Sequence, residues 1–132
     1  LVGDTRPVHF IDGSVTGSDR EDIRLSANTD DNSIIIASFP TMSMGVNIPA
    51  IENIIFAHPT KSKITSLQSI GRGLRLKDGK TSCTLYDISD NLQSGKHINL
   101  GMKHLGERLK IYTLTGFQFK ITHIPFHIPN SL

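Results

Sequence analysis

The sequence predicts an α/β fold: a parallel sheet with flanking helices. Three observations lead there. Four short β-like runs are spread along the first two thirds of the chain. Helical patterns lie between them. Two of the runs are almost continuously apolar, as in parallel strands packed on both faces.

The first run is VHFI, residues 8–11. After it, SDRE at residues 18–21 has the capping-box pattern, so a helix is expected from there to about Asn28. The second and third runs, SIIIASF (33–39) and NIIFAH (53–58), are the apolar pair. A second helix is expected from about Ser62 to Leu74, and the fourth run is CTLYDIS (83–89). Asp87 and Asp90 at its end read as helix caps rather than as catalytic groups. A polar, glycine-containing linker, NLQSGKHINLG, follows. Ile98, Met102, Leu105, Leu109 and Tyr112 then recur at helical spacing and predict an amphipathic helix of about four turns. In FQFKI, Phe117, Phe119 and Ile121 alternate with Gln118 and Lys120, which predicts a half-buried strand. Pro125 and Pro129 end regular structure. The chain thus divides into an α/β unit, residues 1–92, and a helix–strand extension, residues 93–132.

The 132 residues suffice for one core, with 37% hydrophobic and 20% charged side chains. No apolar run is long enough to cross a membrane, and no basic-plus-apolar signal peptide opens the chain. Leu1 in place of Met suggests a fragment of something longer. Cys83 is the single cysteine, so no intrachain disulfide can form, and a reducing compartment such as the cytoplasm is expected. The six histidines show no ligand spacing with Cys83. His123 and His127 are separated by Pro125, so they do not share a helical face, and no zinc site is expected. Met42 and Met44 read as gap-filling, and Pro40 and Pro49 as loop-shaping.

Charge is unevenly spread. Residues 1–32 hold seven acidic and three basic side chains, a net of −4, and the remainder holds eleven basic and five acidic, a net of +6. The basic side chains are densest from Lys61 to Lys80, where Lys61, Lys63, Arg72, Arg75, Lys77 and Lys80 face only Asp78. Such a block reads either as a solvated surface or as a phosphate-attracting module.

Within it, QSIGRGLR (68–75) places two glycines in a helical pattern, each costing roughly 1 kcal/mol against alanine. On a helical wheel Ile64, Leu67, Ile70 and Leu74 fill one sector of about 120°, and Gln68, Arg72 and Arg75 form a separate stripe beside it. Two guanidiniums on one stripe can grip a phosphate through paired, charge-assisted hydrogen bonds. A nearby amide can orient a water or a phosphate oxygen. Exposed arginines are also commonly just solvated, and spacing alone leaves both readings open.

The residues that carry a resemblance are Gln68, Gly71, Arg72 and Arg75. They match Gln-x-x-Gly-Arg-x-x-Arg, and QSIGRGLR resembles motif VI of superfamily 2 helicases. Upstream, ASFPTMSMGVNIPAIENIIFAHP (37–59) resembles motif V, with Ser38, Thr41, Ser43, Gly45, Asn47 and Pro49 at the matching places. FIDGSVTGSDREDIR (10–24) resembles the strand–turn–helix segment before motif V, marked by Gly13 and Arg20. The three stand in the family's order. KHLGERLKIYTLTGFQFKI (103–121) is similar to the C-terminal end of the branch of that family found in T4-like phages.

The resemblance covers about Pro7 to Asp90 and implies the second RecA-like domain of an ATP-dependent helicase motor, truncated at its N-terminus. It implies that Arg72 and Arg75 are arginine fingers and that Gln68 positions the γ-phosphate or the attacking water. Gly45, Asn47 and Gly71 would lie by ATP. Ser38, Thr41 and Gly13 would meet the nucleic-acid backbone, through contacts that position without reading sequence. Asn47 stands where Asp is commoner, Ser38 where Thr is usual, and Asp12, where many members have His, receives no role.

The sequence contains no Gly-x-x-x-x-Gly-Lys-Ser/Thr loop and no Asp-Glu pair. ATP and Mg²⁺ would then be bound mainly by a first RecA-like domain of the same polypeptide, and this chain alone is not expected to hydrolyse ATP. The strand that opens this domain in the family is also missing, so the isolated chain is expected to be weakly stable, with apolar edges unpaired. The implied partner is DNA, branched DNA included, in repair or recombination. The implied location is the cytoplasm, the host's if the chain is phage-encoded. The alternative is a non-catalytic basic nucleic-acid-binding module using residues 61–80, or a plain α/β interaction domain.

Overall fold

The computed structural model describes residues 5–30, 32–38, 40–41, 48–58, 71, 80, 82–91 and 99–125. All four expected runs form strands: β1 (Val8–Ile11), β2 (Ile34–Ala37), β3 (Asn53–Phe56) and β4 (Thr84–Asp87). β1 pairs with β2 and β3 with β4, both in parallel. The ladders extend past the strand ends through Ile34 N–H to the Pro7 carbonyl, 2.8 Å, and Ile88 N–H to the Phe56 carbonyl, 3.1 Å.

Helix α1 (Gly17–Thr29) is the crossover from β1 to β2. It starts two residues earlier than its capping-box pattern suggests. Thr16, not Ser18, is the N-cap, with extended backbone angles and a hydroxyl that accepts from the Asp19 amide at 3.3 Å. The reason is that Thr16-x-x-Asp19 also has a cap spacing, two residues upstream. Ser18 lies inside the first turn with its hydroxyl 2.9 Å from that of Thr16. Glu21, freed from any capping role, pairs with Arg24 at 2.6 Å.

α1 packs on one face of the β1–β2 pair. Ile11, Ala27 and Ile48 form the buried centre, surrounded by Val15, Ile23, Ile35, Ala37, Ala50 and Ile51. Among the described residues no element covers the other face. Phe10 and Ile36 on β1 and β2 are exposed, as are Ile55 on β3 and Tyr86 on β4. The apolar runs therefore do not bury both faces, contrary to the sequence expectation: helix α1 covers only one side of its pair.

Helix α2 (Leu100–Leu114) matches the predicted amphipathic helix. Asn99 caps its start, accepting from the Met102 amide at 3.2 Å. Its end is a Schellman motif: Phe117 N–H reaches the Tyr112 carbonyl at 2.9 Å and Gly116 N–H the Thr113 carbonyl at 3.2 Å. Gly116 supplies the left-handed residue, with φ +75°. The turn drops Phe117 into a second core with Phe56, Tyr112, Ile54, Leu85 and Leu109.

The expected strand at 117–121 does not form. Residues 117–125 are irregular. The alternation is partly expressed, because Phe117 packs inward and the Phe119 ring meets Tyr112 edge-on at 6.2 Å. A strand needs a ladder partner as well as a pattern, and none stands beside this segment among the described residues.

α2 shares its core with β3 and β4. The predicted helix at about 62–74 lies outside the described residues except for Gly71, which is helical. No helix among the described residues is long and apolar enough to cross a membrane.

Candidate functional site

The carboxyl ends of parallel strands are where α/β sheets usually hold ligands, because the loops that leave them diverge there. The register pairs Ile11 with Ala37, the last residues of β1 and β2. Gly13 and Ser38 therefore leave the sheet at the same edge.

The turn after β1 is set by Asp12. Its carboxylate accepts from the Ser14 amide at 2.8 Å and the Ser14 hydroxyl at 2.5 Å. These bonds, the hydroxyl foremost, hold the Asp12 carboxyl below its ordinary range. Arg20, from the first turns of α1, donates to the Asp12 carbonyl at 3.3 Å and so ties helix to turn. Gly13 between them faces open space, and a Cβ built there meets nothing within 4 Å.

After β2, Ser38 is exposed and Thr41 is buried, only 1% accessible. Their hydroxyl oxygens lie 2.8 Å apart. Of these two hydroxyls, only Ser38 is presented to solvent. Gly71 is exposed and helical, again with nothing within 4 Å of a built Cβ. Its glycine is therefore not required by packing, which leaves the backbone approachable. Gln68, Arg72, Arg75, Gly45 and Asn47 lie outside the described residues. So do Ser43, Met42 and Met44.

Lys80, the last member of the basic block, is half-buried and donates to the Pro49 carbonyl at 3.1 Å. It therefore acts as a tie between the segment linking β2 to β3 and the approach to β4. Cys83 nearby is partly buried, which raises its thiol pKa. Among the described residues no group of three His, Cys, Asp or Glu could hold a metal ion.

A polar cluster absent from the sequence reading sits where β4 meets α2. Arg108, 1% accessible, grips Asp87 with two bonds of 2.7 Å and donates to the Ser89 hydroxyl at 2.7 Å. The Tyr112 hydroxyl donates to the same carboxylate at 2.7 Å. Burial, then the Asp87 contact, raises the Tyr112 phenol well above its ordinary pKa. Asp87 is therefore an ion-pair partner rather than a helix cap. Asp90 supports the helix start differently: its carbonyl accepts from the Asn99 side chain at 3.2 Å. A Cβ on Gly101 would come within 2.5 Å of the Asp90 carboxylate. The available signal was a charged residue on the apolar stripe, since Arg108 stands four residues before Tyr112.

Comparison with known proteins adds to this geometry. Residues 4–77, more than half of the chain, match the family described as Helicase conserved C-terminal domain. The ATP-dependent DNA helicase uvsW of Enterobacteria phage T4 is 30% identical over 122 residues, covering 85% of this chain and 24% of that protein. The chain thus spans about a quarter of that relative's length. IRC3 of Saccharomyces cerevisiae is 44% identical over 44 residues, 33% of this chain and 6% of that protein. Among solved structures, the C-terminal part of the Fun30 ATPase domain superposes with a TM-score of 0.51 at 20% identity, over 62% of this chain and 26% of that one. That likeness, with the parallel pairs and flanking helices, gives the fold as RecA-like α/β.

Proposed function

Because the chain belongs to the helicase conserved C-terminal domain family, as found in superfamily 2 helicases, we propose that it is the second motor domain of an ATP-dependent DNA helicase or branched-DNA remodelling translocase. Arg72 and Arg75 neutralise charge that develops on ATP phosphates held by a first RecA-like domain, which also carries the Mg²⁺. Gln68 orients the γ-phosphate or the attacking water, and Gly45, Asn47 and Gly71 line the nucleotide. When bound, ATP supplies the phosphoryl group whose transfer to water drives translocation. The chain's own task is to place guanidiniums and an amide against it.

The nucleic-acid side is the edge where Gly13 and Ser38 emerge. The observation that supports the reading best is that the matched stretch, 4–77, contains every one of these residues. An open glycine and an exposed hydroxyl at the carboxyl ends of two paired strands suit backbone phosphates, which need small donors and close approach. The second reading is a non-catalytic basic module using residues 61–80, in which Lys80 is half-buried and donates to the Pro49 carbonyl.

Arginine variants of the full-length protein test this reading. Arg72→Ala or Arg75→Ala is expected to abolish ATP hydrolysis while oligonucleotide binding survives. Normal turnover in both variants would sink the arginine-finger assignment.

A further inference from the structure

We propose that Thr41 is a positioning residue, whose buried hydroxyl turns the Ser38 proton outward to donate to a nucleic-acid phosphate. The inference rests on the reading that this edge meets nucleic acid, and it gives the Ser38 and Thr41 hydroxyls different tasks.

The hydrogen-bond direction follows from burial. Thr41 is 1% accessible and Ser38 is exposed, with 2.8 Å between their oxygens. A hydroxyl has one proton to donate and two lone pairs to accept with. The Thr41 proton is sealed from water, and among the described residues the Ser38 oxygen is its one acceptor. A buried donor without an acceptor carries its full desolvation penalty, whereas an exposed one bonds to water. Thr41 therefore donates and Ser38 accepts.

Ser38 is left with its proton pointing away from Thr41, into solvent. It stands one residue past the last residue of β2, at the edge it shares with Gly13. A hydroxyl held this way is a preoriented donor for an anionic oxygen, and charge-assisted bonds are the stronger kind. Without Thr41 the Ser38 hydroxyl would rotate freely and would have to be ordered on binding.

A double-mutant cycle in the full-length protein tests this, read as affinity for a short fluorescein-labelled oligothymidylate at low salt. Ser38→Ala is expected to weaken binding about tenfold, the scale of one hydrogen bond to a charged group. Thr41→Val, which keeps the volume and removes the donor, is expected to weaken it several-fold, and Thr41→Ser to restore it. In the Ser38→Ala background, Thr41→Val should add nothing, because no hydroxyl remains to orient. Equal losses from Thr41→Val in both backgrounds would mean a merely structural role and overturn the proposal. So would full affinity in Thr41→Val beside a loss in Ser38→Ala. Unchanged affinity in Ser38→Ala would overturn the nucleic-acid reading of the edge itself, and the inference with it.

Discussion

Around α1 the chain is organised by apolar packing of Ile11, Ala27 and Ile48. Around α2 an apolar cluster is joined by a buried ion pair, in which Arg108 and Tyr112 converge on Asp87. The two regions divide the work. Apolar contacts have no direction, so the first region can hold its strands and present Gly13 and the Ser38 hydroxyl at the edge. The second region uses its polar groups inward. Each hydrogen bond there fixes a direction, and together they set how α2 lies on β4. A region whose polar groups satisfy one another is a clamp; one whose polar groups face out can bind.

The contrast is broken most sharply at Arg108. Arg108→Ala removes one side of a buried pair and leaves the Asp87 carboxylate without its cation, which is expected to cost about 3–5 kcal/mol. In the other region Ile11→Val removes one methylene and is expected to cost only about 1 kcal/mol. Urea unfolding of the two variants checks this, and similar losses would mean that the ion pair is no more demanding than the apolar core.

A middle-sized effect is expected from pH. Burial and Asp87 raise the Tyr112 phenol in the folded chain above its unfolded value near 10. The neutral phenol therefore contributes stability that is fully present below about pH 10 and is lost as pH rises toward the raised folded value. Tyr112→Phe should flatten this alkaline slope while lowering stability at neutral pH through the lost bond to Asp87. Thermal melts across alkaline pH read both, and an unchanged slope in Tyr112→Phe would assign the alkaline loss elsewhere.

The smallest effect is expected at the start of α1. Thr16→Ala should cost about 1 kcal/mol, and Ser18→Ala much less, since Thr16 is the cap. The reverse order in melting temperature would restore Ser18 as the cap.

Local patterns carried much of the fold. The strands were legible because short apolar runs bounded by turn residues are a local signal, and α2 because its apolar spacing survives one charged residue. What was not legible depends on partners distant in sequence. Arg108 on an apolar stripe looks like a surface residue until Asp87, 21 positions away, is beside it. FQFKI alternates like a strand, but Gly116 turns Phe117 onto the α2 core instead. The site was read through motif spacing, which names Ser38 and Thr41 alike. Only burial separates them.

The central claim is that the β1–β2 edge is the binding region and the α2 region the clamp. Hydrogen exchange in the full-length protein, with and without a short oligothymidylate, tests it most directly. The prediction is added protection at residues 12–14 and 38–41, with residues 100–114 unchanged. Protection confined to 100–114, with 12–14 and 38–41 unaffected, would contradict it.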